Sequence, residues 1–307
     1  QEAAKVALKN GHTTVHTMIG NGYSDLKHYG LIRNHLQDFP VEFILYPQIS
    51  DIDKALEVGS PRIGGCLLAD GSFGSHTAAL TEPYHDRPDS YGVLYRTDLF
   101  WKKFISRAHR KNLQIAVHCI GDAAIAQILK FYEEVNQKDP KDLRHEIIHN
   151  ELASESMLDR MSRISVSAVM QPMFDRLWAG EGCLYQKVLG KERTLHTNRL
   201  ASVEQRKILL CGGSDWYITA MKALQGIDAA VNLHNPLERI SRYNAVRMYT
   251  SNAAHLSFDE NRLGTLTPGK QADMVCLKED IFNADNISNI EIKSVIKKGI
   301  LFQISSN

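Results

Sequence analysis

Apolar and β-branched positions recur along this chain in short alternating runs, and stretches of helical period stand between them. Runs at 13–19, 41–46, 62–68, 114–118, 143–149, 164–170 and 208–211 read as strands. Helical periodicity occupies 25–39, with Leu26, Leu31, Ile32 and Leu36 on the buried side. It returns at 51–58, 97–111, 122–136, 154–161 and 221–231, with Asp122 placed as an N-cap. A long polar loop rich in Gly, His, Pro and Tyr fills 70–90. Beyond residue 235 the character changes. Residues 239–254 read as helix, 264–277 as turn plus strand, and 295–302 as a hairpin around Lys298-Gly299.

Strands alternating with helices at this spacing imply parallel βαβ units and an α/β fold. Seven strands are visible up to Cys211, whereas a closed (β/α)8 TIM barrel needs eight. The chain opens in Gln1-Glu2-Ala3-Ala4, which reads as the closing turns of a helix ended by Gly11. The expectation is therefore a cut through a longer protein, with the first strand left upstream. Residues 1–255 would be the barrel's strands two to eight. Residues 256–307 would be the C-terminal part of a small β-sandwich, because a few short strands bury little alone. A doubly wound sheet is the competing fold, but its glycine-rich first turn is not visible.

Composition narrows the function. Lys plus Arg is 36 against 35 for Asp plus Glu, a formal charge of +1, which argues against nucleic-acid or anionic-membrane partners. Apolar residues at 43% exclude disorder, and no apolar run is long enough to span a bilayer. The five cysteines show no CxxC pairing, so a disulfide framework or zinc finger is not expected and a reducing cytoplasm fits. A small-molecule substrate is the expected partner, and association into homo-oligomers is left open.

Catalytic groups of parallel α/β folds sit at the C-terminal ends of strands. Asp70, His118, His149 and Asp215 stand there, the last after Gly212-Gly213-Ser214. Two imidazoles and a carboxylate are a ligand set for a divalent metal. Each also has a plain reading as a core histidine, a cap or a turn. His145-Glu146-Ile147-Ile148-His149 matches HExxH, the zinc-peptidase motif, which works only on a helix. On a strand its imidazoles lie about 13 Å apart, at roughly 3.3 Å per residue. The alternation of elements favours the strand.

Together these residues resemble the amidohydrolase superfamily, in its amidohydrolase-3 branch with the N-substituted formamide deformylases. The matching stretches are Ala69-Asp70-Gly71-Ser72 with Pro83-Tyr84, His118-Cys119-Ile120-Gly121-Asp122, Arg144 to His149, Gln171-Pro172, Gly213-Ser214-Asp215-Trp216, and Gly264 with Pro268 to Asp273. The resemblance implies a metal-dependent barrel beside a β-sandwich, holding one or two divalent ions, zinc by preference. His118 and His149 would be metal ligands. Asp215 would touch metal and take a proton from the attacking water as the catalytic base. Asp70, Ser72 and Tyr84 would contact substrate. The implied reaction is hydrolysis of a non-peptide C–N bond, an amide or cyclic amide, in a small molecule. Two departures stand out: no His-x-His pair occurs, and Cys66 occupies the position of a lysine that often bridges two metals. Cys66 is either a thiolate ligand or a buried inert thiol. With the first-strand pair lacking, weak metal binding and negligible turnover are expected of residues 1–307 alone. A peptidase acting through HExxH and a non-catalytic barrel with a binding or regulatory role are the alternatives.

Overall fold

The computed structural model describes residues 1–304. Strand β1 (Thr14–Ile19) pairs in parallel with β2 (Glu42–Pro47). Strands β3 (Arg62–Leu68), β4 (Gln114–Cys119), β5 (Glu146–His149), β6 (Ser167–Met170) and β7 (Leu210–Gly212) form a parallel sheet in chain order. The order never reverses, so the switch point of a doubly wound sheet is missing among the described residues. The α/β class stands. The ladders do not make a ring, however: β1–β2 and β3–β7 are separate sheets among the described residues.

Helix α1 (Glu2–Lys9) precedes β1, and α2 (Lys27–Arg33) and α3 (Ile52–Glu57) follow β1 and β2. Helices α4 (Asp98–Arg110), α5 (Asp122–Lys138) and α6 (Glu155–Arg163) follow β3, β4 and β5. Asp51, Thr97 and Ser154 cap α3, α4 and α6 through their side chains. Between β6 and β7 run four short helices, α7 (Pro172–Trp178), α8 (Leu184–Leu189), α9 (Lys191–Thr194) and α10 (Leu200–Gln205). After β7 come α11 (Ala223–Val231), α12 (Arg242–Met248) and α13 (Ser251–Leu256). An antiparallel sheet of β8 (Met274–Leu277), β9 (Ile292–Lys297) and β10 (Ile300–Gln303) closes the described chain, with Lys298 and Gly299 both at positive φ in the hairpin turn.

Some expectations fail locally. The helix expected over 25–39 is only α2 plus a 3-10 turn, and it buries Tyr29 while Leu31 is 60% exposed. Gly30 in its middle and the polar Asn34-His35 pair weaken helical propagation there. Asp122 is the first helical residue and not the cap, because its carboxylate is held by Thr81, accepting from the backbone N–H at 2.9 Å and from the hydroxyl. The helix expected over 239–254 breaks at Tyr249-Thr250 into α12 and α13.

Strand alternation sorts the core. Ile115, Val117, Ile147 and Ala168 face the helices and pack with Trp101, Ile105, Ile125 and Leu158. Ala116 and Ile148 face the other way, with Ile44, Tyr46, Met18, Val169 and Cys66. His118 shares the face of Ala116 by its parity on β4. A bulge at Gly64-Gly65 interrupts the β3 ladder just before Cys66. Only glycine fits at Gly64, since φ is +89° and a Cβ would stand 2.4 Å from the Ala116 carbonyl oxygen. Lys297 of β9 and Arg262, which precedes β8, both reach Glu42 of β2 and hold its carboxyl down at about 2 despite partial burial. No described helix is long and apolar enough to cross a membrane.

Candidate metal centre

Cys66, His118 and His149 converge at the C-terminal ends of β3, β4 and β5, and one donor atom from each lies within 4.8 Å of the others. Strict alternation would send His149 to the helix side with Ile147. The ladder ends there, with His149 at φ +73° and Asn150 at +51°, and the His149 ring stands 4.4 Å from that of His118. Left-handed backbone in a non-glycine residue costs energy and marks positions held by their surroundings. Asp215, at φ +51°, is a third.

The surroundings orient these groups. His118 Nε2 donates to the Gly71 carbonyl oxygen at 3.1 Å, which leaves Nδ1 as a lone pair 3.8 Å from Cys66 Sγ. A ring nitrogen fixed on a backbone carbonyl is how ligating histidines are commonly oriented. Phe174 stacks on His149 at 5.6 Å. The Asp70 carboxylate accepts from the backbone N–H of Ala79, Ile120 and Gly121 at 2.8–3.0 Å, pinning the loop after β3 to the loop after β4. One of its oxygens also lies 3.6 Å from His118 Nε2.

Electrostatics follow burial. Burial lowers His118 to about 3, helped by the neighbouring His149, and lowers His149 to about 4. Both rings are therefore neutral and able to donate lone pairs at neutral pH. Burial, and then the nearby Asp215, pushes the Cys66 thiol up to about 12. Burial likewise raises Asp70 to about 7 against its three N–H donors. Asp215 is raised by partial burial, and the His118 imidazole opposes that shift.

The donor set suits a borderline-soft divalent ion, being two imidazoles and a sulfur. His149 Nδ1 is buried and has no hydrogen-bond partner, as a vacant donor toward an ion would be. Asp215 stands outside the triangle but acts electrostatically on Cys66 and His118. The three residues read as substrate contacts divide. Asp70 is fully buried and spent on backbone N–H groups, and Tyr84 is buried with its hydroxyl donating to the Ala78 carbonyl oxygen at 2.8 Å. Both brace the loop, and neither presents a polar atom to a substrate. Ser72 alone is exposed, with its Oγ 2.9 Å from that of Ser75.

The HExxH reading does not survive. Glu146 to His149 form β5, and His145, just before it, points away into a pair with His109, Nε2 to Nδ1 at 3.0 Å. Glu146 is fully buried on the inner face of the sheet. No helix brings the two imidazoles of the motif to one metal.

Residues 9–301 match the sequence profile of an amidohydrolase family. The chain belongs to the amidohydrolase family. Among its relatives, YtcJ of Bacillus subtilis (strain 168), named for that family, is 30% identical over 249 residues, 76% of this chain and 45% of its own length. Protein LONG AFTER FAR-RED 3 of Arabidopsis thaliana is 34% identical over 242 residues, 74% of this chain and 41% of its own. A crystal structure of an uncharacterized metal-dependent hydrolase from Pyrococcus furiosus superposes with a TM-score of 0.77 at 28% identity, covering 92% of this chain and 59% of that one. This amidohydrolase chain thus spans less than half the length of the curated relatives it matches.

Sequence reasoning missed several supports of the site. Gln48 donates to the Cys66 carbonyl oxygen at 2.7 Å, and Arg96 lies beside it near the strand ends. Neither sits in a motif, so nothing in the one-dimensional pattern singles them out. The bulge at Gly64-Gly65 was visible as a glycine pair within a strand, which is its usual signal.

Proposed function

We propose that this amidohydrolase chain carries the metal centre of a hydrolase acting on a non-peptide C–N bond, an amide or cyclic amide, of a small molecule. The observation that carries the reading is the triangle of Cys66, His118 and His149 at three adjacent strand ends. Three protein donors are the usual complement of a catalytic zinc ion, and sulfur in the set favours zinc over magnesium or calcium. A divalent ion bound there supplies Lewis acidity to a carbonyl and lowers the pKa of water toward neutrality. His118 keeps its lone pair aimed into the site through its bond to Gly71. Asp215, at the open lip, takes the proton of the attacking water, and its raised affinity for protons suits that task. Ser72 is the exposed polar group left to meet substrate. All five cysteines are free, in keeping with a reducing cytoplasm. With no His-x-His pair in residues 1–307, zinc is held weakly and these residues alone turn over slowly.

The test is to load the protein with zinc and screen non-peptide amides and cyclic amides, each in neutral and carboxylate-bearing form, alongside dipeptides. Zinc-dependent hydrolysis of amides over dipeptides is expected, with Asp215→Asn reducing it at least about a hundredfold while still binding zinc. No zinc uptake, or preference for dipeptides, overturns the reading.

A further inference from the structure

A second feature lies at the same strand ends. A cavity of about 550 Å³ opens where the segments after β1, β2 and β3 meet, with Asn21, Tyr23, Gln48, Leu68, Tyr95 and Arg96 among its walls. That volume is in the range of small-molecule sites. It adjoins the metal triangle through the backbone: Leu67 and Leu68 directly follow Cys66, Leu68 is in register with His118, and Gln48 holds the Cys66 carbonyl.

The walls have a distinct chemistry. Arg96 is their one cation, and no acid lines them. Its guanidinium is set between the rings of Tyr23 at 5.3 Å and Phe100 at 4.4 Å, and Nη2 donates to the Gly22 carbonyl oxygen at 3.2 Å. Among the described residues no carboxylate comes within ion-pair distance of it. The nearby Asp98 is engaged elsewhere, by Gln127 and Lys130 at 2.8 Å. An arginine stays charged and offers a planar fork of N–H groups matched to a carboxylate. Contacts with two rings and a backbone carbonyl already restrain it, so less freedom remains to be lost on binding. Leu68 at 41%, Tyr95 at 44% and Tyr23 at 65% exposure also line the cavity and leave apolar surface uncovered.

We infer that this cavity binds a carboxylate joined to an apolar or aromatic group, with Arg96 reading the carboxylate and Leu68, Tyr95 and Tyr23 receiving the apolar part. Under the hydrolase reading, on which only this step rests, the ligand is the substrate, and its amide lies toward Cys66. Neutral amides are then poorer substrates than amides that carry a carboxylate elsewhere in the molecule.

The test measures binding in metal-free protein, where a carboxylate has no metal to bind. 3-Phenylpropionate and its neutral isostere 3-phenylpropanamide are titrated calorimetrically at pH 7.5. The acid is expected to bind about tenfold tighter, the worth of one charge-assisted contact. Arg96→Gln should erase that preference, and Arg96→Lys should keep part of it. Leu68→Glu, at an exposed position that tolerates change, should weaken the acid at least about tenfold more than the amide through like-charge repulsion, and it decides the matter if Arg96→Gln does not fold. Equal binding of acid and amide, no binding of either, or a preference that survives Arg96→Gln overturns the inference. Acid-selective binding without any zinc-dependent hydrolysis would sink the hydrolase reading alone. Hydrolysis without acid-selective binding would sink only this inference.

Discussion

Two pairs of histidines are built on neighbouring elements and end in opposite states. His118 and His149 meet at the C-terminal ends of β4 and β5, while His109 of α4 and His145, just before β5, meet at the other end of the same strands. The His109–His145 pair is closed. Ile115 N–H donates to His145 Nδ1 at 3.1 Å, so the His145 proton sits on Nε2 and is given to His109 Nδ1. His109 Nε2 in turn donates to the Asp139 carbonyl oxygen at 2.8 Å, and Tyr132 stacks on His145. Every nitrogen has a partner. The upper pair is open, with His149 Nδ1 unpartnered and His118 Nδ1 facing only a thiol. Residue type is the same in both places, and what separates a candidate site from a brace is the state of the hydrogen-bond account.

The sharpest way to break this contrast is metal titration. His118→Ala or His149→Ala should weaken zinc binding by about a thousandfold, roughly 4 kcal/mol for a lost ligand. His109→Gln should change it less than about threefold. Competition against a chromophoric chelator gives both values, and equal losses from the two pairs would end the distinction.

Stability should show the reverse order. His145→Ala leaves a cavity and strips the Ile115 N–H of its acceptor, a cost of about 3 kcal/mol in urea unfolding of the metal-free protein. His149→Ala also leaves a cavity but strips no backbone group of a partner, so its cost should be lower, by about 1 kcal/mol. A larger loss at His149 than at His145 would mean that the open pair is itself structural. The closed pair also carries a pH signature. Burial lowers His145 to about 3, below its ordinary value of 6.5. Its contribution is therefore complete above pH 6.5 and is lost as pH falls toward 3. The acid limb of stability should flatten in His145→Gln.

How much of this was readable beforehand follows from the physics of each element. The seven parallel strands and the helices between them rest on local signals, alternation, helical period and strand direction, whereas the expectation of Cys66 near two histidines came from the family resemblance alone. The HExxH motif was separable from its helical namesake because a strand cannot bring residues four apart together. Helices α7 to α10 were not legible, since they are short and owe their existence to tertiary packing: Phe174 against Trp178, then Tyr185 and Leu189 in one apolar cluster, and Leu200 and Val203 in the main core. Nor was the spending of Asp70 and Tyr84 on backbone groups, because backbone partners leave no trace in side-chain patterns. Asp70 resembled a substrate contact in sequence for the same reason that it is a good pin: a carboxylate beside the site can serve either end.

The smallest effect concerns the residue between the two histidine pairs. Glu146 is fully buried among inner-face residues, and neither carboxylate oxygen has a hydrogen-bond partner. Burial raises it from 4.5 to about 8, although Tyr46 and then Arg62 favour the charged form. A carboxyl raised in the fold is most stabilising when protonated, so its contribution is complete below pH 4.5 and declines as pH rises toward 8. Glu146→Gln keeps the shape and removes the ionisation, and it should stabilise the protein by about 2 kcal/mol at pH 8 with almost no gain at pH 4.5. Urea unfolding at the two pH values reads the difference directly. A stability loss at pH 8 would show that Glu146 is held as a carboxylate by the Arg62 side, and the inner face would then resemble the closed histidine pair more than the open one.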